Sequence, residues 1–124
     1  MDTFQCVLDF HRRFGAYIGK QPEFPPDEVL ALRDRLIQEE FDEYREAVAK
    51  RDLVKAADSL ADLTYVVLGT AVALGIDLRP VFAEVHRTNM LKEGGATRED
   101  GKILKPPGWE PPQIAPLLEN MRLG

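Results

Sequence analysis

Carboxylates occupy positions that a soluble helix normally fills with apolar side chains, and few folds tolerate that. On a helical wheel of about 100° per residue, 28–50 place Val29, Leu30, Leu32, Leu36, Ile37, Phe41, Tyr44, Ala47 and Val48 on one broad face. Glu40 and Glu43 fall inside that face and Glu39 lies at its edge. Residues 53–75 are apolar almost all the way round, the pattern of a helix buried on every side, yet Asp58 and Asp62 interrupt them at i, i+4. A buried, unpaired carboxylate costs several kcal/mol or is forced to take up a proton. Several together need a common counter-ion, and a divalent cation with oxygen ligands supplies one. The competing reading is a set of basic partners. Arg33 lies on the apolar face of the first of these helices, but residues 56–78 contain no base.

A chain of 124 residues supports one core rather than two, so a single domain spanning 1–124 is expected, with a tail from about 94 to 124. The lone Cys6 excludes an internal disulfide and suits a reducing cytosol, and no signal peptide is visible; a cytoplasmic protein is expected. The longest apolar stretch, Leu63 to Ile76, is shorter than the ~20 residues a membrane span needs, so no membrane association is expected. A net charge of −5 argues against a nucleic-acid surface. The distribution is more informative than the sum. Asp27 to Asp62 carries 11 acids and 6 bases, whereas His86 to Lys105 carries 3 acids and 5 bases. An acidic, metal-binding half and a basic half together suit a metal-bound polyanion such as a nucleotide phosphate, although solvated surface charge explains any single residue equally well.

Four main helices are predicted. The first runs from about Thr3 to Phe14, with Phe4, Val7, Leu8, His11 and Phe14 on one face, and ends at Gly15. The second runs from Asp27 to about Lys50, its acidic start suiting a helix N-terminus. Asp52 is a suitable N-cap for the third, which ends at Gly75. Asp77 can cap the fourth, which carries Val81, Phe82 and Val85 inward and finishes near Leu91. Beyond Gly94-Gly95 the chain is irregular: Asp100-Gly101 signals a turn, Lys105 to Pro112 reads as extended polyproline-like chain, and a short helix is expected over Ile114 to Met121. The fold class is all-α, a four-helix bundle with an irregular proline-rich tail wrapped over it.

Clustered carboxylates on neighbouring helices suit Mg²⁺, with Mn²⁺ as a substitute, because hard cations take oxygen ligands and bridge to substrate phosphates. Two such ions can bind the attacking and leaving oxygens of a phosphoryl displacement. Di-iron bundles need Glu-x-x-His, and neither His11 nor His86 follows a Glu by three residues. Gly69, seven residues after Asp62, permits close approach of a helix or ligand.

Glu39-Glu40-x-x-Glu43, followed by Asp62 in Ala61-Asp62-Leu63-Thr64-Tyr65-Val66, resembles the all-α nucleoside triphosphate pyrophosphohydrolases, the MazG-like superfamily. Val85-His86-Arg87-Thr88-Asn89-Met90, Lys92 and Asp100-Gly101-Lys102-Ile103-Leu104-Lys105 are similar to a bacterial and phage branch labelled MazG-like or phosphoribosyl-ATP pyrophosphohydrolase-like, whose best-known members act on dUTP. The resemblance runs from Phe10 to Pro112. It implies hydrolysis of a nucleoside triphosphate between the α- and β-phosphates, to a nucleoside monophosphate and pyrophosphate. Glu40, Glu43 and Asp62 are then metal ligands, with Glu39 completing the set or, with Glu40, activating water. One departure stands out: the family commonly has Glu three residues before the second-motif Asp, where this chain has Ser59, and Asp58 is the available replacement.

The resemblance also marks Asn89 and Lys92 as phosphate- or base-binding, with Arg98, Lys102 and Lys105 able to close over phosphates. His86 reads more simply as a core histidine, with substrate binding as its lesser alternative, and Trp109 as a packing anchor. His11 and Phe14 can border a nucleobase pocket, and Tyr65 is expected in the core with its hydroxyl near the site. The apolar third helix and the tail residues Trp109, Ile114, Leu117 and Leu118 need cover, so at least a homodimer is expected, as the resemblance also implies. Three functions therefore stand: a nucleoside triphosphate pyrophosphohydrolase, a phosphoribosyl-ATP pyrophosphohydrolase, or a catalytically silent nucleotide- or metal-binding helical module, which Ser59 favours.

Overall fold

Local capping chemistry sets the helix ends in the structure, a computed structural model that describes residues 1–123. The Asp2 carboxylate accepts a hydrogen bond from the Gln5 amide (3.0 Å) and so satisfies one of the orphaned donors that open α1, Thr3–Phe14. Helix α2, Asp27–Ala49, follows Pro26 without a side-chain cap; Asp27 and Glu28 instead place negative charge at the positive end of its dipole. Asp52 accepts from the Lys55 amide (3.0 Å) and caps α3, Leu53–Ala73. Gly75 then turns the chain in the left-handed conformation (φ 70°), and a Cβ there would overlap the Gln21 carbonyl, so glycine is required twice over. Helix α4 spans Leu78–Met90, and α5 is a single turn, Ala115–Leu118, shorter than the Ile114–Met121 expected.

Residues 1–77 and 121–123 belong to one compact unit and 78–120 to another. In the first, Phe4, Val7 and Leu8 of α1 are buried, as are Ala71, Val72 and Ala73 at the end of α3. The loop between α1 and α2 is tied to the end of α3 by amides donated from Gly19 to Val72 O (3.0 Å) and from Glu23 to Leu74 O (3.0 Å), and Leu123 N–H donates to Lys20 O (2.9 Å). Helices α2 and α3 run antiparallel: Arg33 meets Val66 and Thr70, whereas Glu40, two turns on, lies beside Asp62.

Helix α3 is not buried on every side in the single chain. Its first turn is open, with Leu53 and Val54 82% and 83% exposed, because α1 and α2 cover only two of its faces. At 21 residues it is also longer than the apolar stretch that suggested it, and by length and composition alone it could cross a membrane. Core helices of soluble proteins meet the same criterion, and this one carries Lys55, Asp58 and Asp62.

The second unit corrects the expected orientation of α4. The stripe predicted to point inward is open, Phe82 being 69% exposed, while Thr88 is the buried residue. The cause is polar. The Gln113 amide donates to Glu84 Oε2 (2.7 Å) and the Trp109 indole N–H to Thr88 O (2.7 Å), so the 84/88 face takes the following chain. Between them, Thr97 and Ile103 form an antiparallel bridge around the turn at Gly101, whose amide donates to Arg98 O (2.8 Å).

Arg87 grips Glu84 with two bonds (2.7 and 3.0 Å) and, with the Gln113 amide, holds its carboxyl down at about 2. A carboxylate depressed on folding stabilises the folded arrangement above its unfolded value near 4.5 and loses that contribution as pH falls through the folded one. Trp109 emission should therefore be constant above pH 4.5 and shift red between there and about pH 2 as the strap releases. Glu84→Gln should remove that step, and an unchanged titration in the variant would show that another group controls it.

Candidate metal centre

The seam between α2 and α3 carries two polar clusters, about 10 Å apart along the helix axis at 1.5 Å per residue over seven residues. At the first, Gly69 leaves a hollow that a Cβ would fill, and the Arg33 guanidinium and the His11 ring (Nε2, 3.0 Å from that Cβ position) occupy it. Arg33 is only 8% exposed, yet it donates from Nε to Thr70 Oγ1 (3.3 Å) and from Nη2 to Val66 O (3.0 Å) rather than to a carboxylate. Burial holds its pKa below the usual arginine range. His11 Nδ1 lies 2.9 Å from the Tyr17 carbonyl, which accepts only if that nitrogen carries the proton. Burial pushes the imidazole pKa down against the pull of that bond, and the Arg33 charge lowers it further, so His11 is a neutral core histidine.

At the second cluster, Glu40, Glu43 and Asp62 each bring a carboxylate oxygen within 4.8 Å of the other two. Glu40 and Asp62 are half-buried, while Glu43 is exposed and leaves the cluster open to solvent on its side. Glu40 Oε2 is sealed from solvent and has no hydrogen-bond partner. Burial raises the Glu40 pKa, and Asp62, Glu43 and Glu39 raise it further, in that order. Arg33, the buried base on the α3-facing side of α2, is committed elsewhere. Three converging carboxylates, one with an orphaned oxygen, fit a divalent cation, whose ligand oxygens lie about 3–4 Å apart around Mg²⁺, a distance that small side-chain rotations reach. The oxygen-only donor set suits Mg²⁺ or Mn²⁺ rather than a soft metal.

The other residues singled out from the sequence fall in several places. Glu39 is exposed, lies outside the triad and acts on it through charge. Asp58 is not brought into the cluster: its side chain is 59% exposed and lies 3.8 Å from the Lys55 ammonium. The reason is register, since 59, 62, 66 and 69 follow the seam and 58 falls one position to its side. Ser59, by contrast, is 0% exposed, and its Oγ has no partner. Tyr65 is not core. It is partly exposed and meets Phe10 edge-on (5.6 Å), and Phe10 in turn packs on the largely exposed Phe14 (4.7 Å), making a small aromatic surface on α1 and α3. Phe10 was missed in the sequence, although its i, i+4 spacing to Phe14 was a usable signal.

In the second unit His86 and Asn89 are exposed, so His86 is not a core histidine. Lys92 and Lys105 converge on Trp109, their ammonium groups 5.3 and 5.1 Å from the ring centre. The indole face attracts both cations and lets like charges share one surface, which makes Trp109 more than a packing anchor. Arg98 forms a two-bond pair with Asp100 (2.8 and 2.6 Å) within its own turn, where Lys102 is exposed.

The crowding of like charge around Glu40 yields a stability prediction. In chelator, Glu43→Gln should raise the thermal midpoint by about 2–4 °C by removing repulsion. Millimolar Mg²⁺ should raise that of the unsubstituted chain by binding the native state, and should do so far less for the variant. A midpoint indifferent to both chelator and Mg²⁺ would exclude cation binding at this cluster.

Residues 7–89 match the model of the phosphoribosyl-ATP pyrophosphohydrolase family, a stretch that runs from the second turn of α1 through α2 and α3 into α4 and includes the whole of the acidic seam. No individually curated protein matches the chain. The matched stretch covers well over half of the molecule and agrees with its all-α architecture, so the chain belongs to the phosphoribosyl-ATP pyrophosphohydrolase family, MazG-like helical enzymes of the nucleotide pyrophosphohydrolase type.

Proposed function

We propose that this protein is a Mg²⁺-dependent nucleoside triphosphate pyrophosphohydrolase, cleaving between the α- and β-phosphates to release a nucleoside monophosphate and pyrophosphate. The single observation that carries the metal-dependent part is the convergence of the Glu40, Glu43 and Asp62 carboxylates, one of which carries the unpartnered Glu40 Oε2, with Arg33 bonded elsewhere. These three carboxylates would hold the cation, which would neutralise phosphate charge and make water a better nucleophile. Glu39, exposed and adjacent in sequence to Glu40, is the group we assign to take a proton from water. By the family resemblance, Lys92 and Lys105 are assigned as point charges for the polyphosphate and Asn89 as a hydrogen-bonding group. The Phe10–Phe14–Tyr65 surface suits stacking by a nucleobase. Such an activity removes surplus or non-standard nucleotides, with dUTP the first candidate from the branch that the sequence resembles. The family match itself favours phosphoribosyl-ATP as the second.

Pyrophosphate release should be measured over a panel of ribo- and deoxynucleoside triphosphates and phosphoribosyl-ATP, with Mg²⁺. Glu40→Gln, Glu43→Gln and Asp62→Asn should each lower turnover at least about a hundredfold with helix content unchanged. Lys92→Ala should weaken triphosphate binding more than monophosphate binding. Release from phosphoribosyl-ATP alone would select the second substrate, and no release from any member would leave a binding module.

The same reading includes a homodimer in a reducing cytoplasm. Leu53, Val54, Leu60 and Val67 of α3, with Phe41 of α2, remain exposed in one chain, and a second copy related by two-fold symmetry presents a matching apolar surface. Sedimentation at micromolar concentration should therefore give a species of at least twice 14.0 kDa. A fully active 14.0 kDa monomer would refute the assembly and leave the catalytic reading intact.

A further inference from the structure

Ser59 has a hydroxyl with nothing to bond. It is 0% exposed, and its Oγ is one of two buried side-chain oxygens without a partner among the described residues, the other being Glu40 Oε2. A helical hydroxyl has a ready alternative in the carbonyl one turn back, and this chain uses it repeatedly. Thr64 donates to Leu60 O (2.9 Å), Thr70 to Val66 O (2.8 Å) and Thr88 to Val85 O (3.0 Å). Ser59 does not. Leaving such a group unsatisfied is destabilising, and a single rotation about χ1 is what separates it from the common solution.

Its position gives the reason. Ser59 precedes Asp62 by one turn on the face of α3 that also carries Val66 and Gly69, the face turned to α2. The antiparallel register sets Arg33 against Gly69 and Glu40 against Asp62, so one turn further along each helix brings Ser59 opposite the Glu43 turn. One orphaned oxygen thus belongs to the triad, on α2, and the other lies one turn from Asp62 on α3.

We infer that Ser59 is a positioning residue of the cation site, its hydroxyl hydrogen-bonding a water of the cation's hydration shell. This rests on the metal reading above. Mg²⁺ gives up its waters reluctantly and is commonly held by a few carboxylates with several waters retained. A neutral hydroxyl on a short side chain is a weak direct ligand but a good partner for such a water, and partners of that kind influence metal affinity strongly. The serine at this position is then a working part of the site rather than a mark of a silent module.

The test uses Mn²⁺ as probe, titrated by calorimetry into the full chain and into Ser59→Ala and Ser59→Cys, with thermal midpoints in chelator. Cysteine keeps the volume and is a poor donor, so it carries the test if the alanine variant folds badly. Both variants should bind Mn²⁺ about tenfold more weakly. The alanine variant should have an equal or higher midpoint in chelator, because a buried unsatisfied group has gone. A purely structural serine would lower that midpoint and leave the affinity alone. Unchanged affinity in two folded variants overturns the inference but not the metal reading, whereas failure of the unsubstituted chain to bind Mn²⁺ overturns both.

Discussion

The antiparallel seam of α2 and α3 carries charge where two packed helices usually interlock apolar side chains. That choice shapes the first unit. A guanidinium needs room, and Gly69 provides it; a guanidinium deprived of water needs acceptors, and Val66 O with Thr70 Oγ1 supply them. His11 completes the same corner from α1, held neutral by burial and by Arg33 so that two positive charges do not meet in the core. Directional bonds from Arg33 join α2 to α3, with His11 packed beside them, and directional bonds fix register more tightly than apolar contact does.

Two turns along the same seam the chemistry reverses. Glu40, Glu43 and Asp62 converge with no base among them, and burial and mutual repulsion push the Glu40 pKa upward. Seven-residue spacing on both helices makes the two clusters possible together: Arg33 to Glu40 and Gly69 to Asp62 each advance nearly two full turns, so the same faces meet twice. The arrangement separates a structural cation, fixed in the protein, from an acidic cluster two turns away. An Arg33 moved one turn toward Glu40 would neutralise the triad and weaken its case for metal.

The second unit uses polar contacts differently. Glu84 and Thr88, one turn apart on α4, hold the chain that follows through Gln113 and Trp109, and Trp109 in turn gathers Lys92 and Lys105. The consequence is an α4 whose apolar stripe remains exposed while two lysines share one indole. Indole–ammonium attraction is modest, about 0.5–1 kcal/mol at an exposed site, yet enough to offset much of the repulsion between two solvated ammonium groups.

Much of this was legible in the residues themselves. Helix limits followed from Asp52, Gly15 and Gly75, because caps and left-handed turns are local and need no partner. The acidic triad was legible because carboxylates on an apolar stripe contradict the pattern around them. Tertiary structure decided the rest. Asp58 and Ser59 are neighbours in sequence, and only the register of α3 against α2 turns the hydroxyl into the seam and leaves the carboxylate to Lys55. Arg33 was visible on its face, but its acceptors lie more than thirty residues away, so its use as a structural cation could not be read locally. Tyr65, His86 and the outward stripe of α4 were misplaced for the same reason. A periodic pattern identifies which face of a helix is apolar, but the neighbour that arrives, and the hydrogen bonds it brings, decide which face is covered.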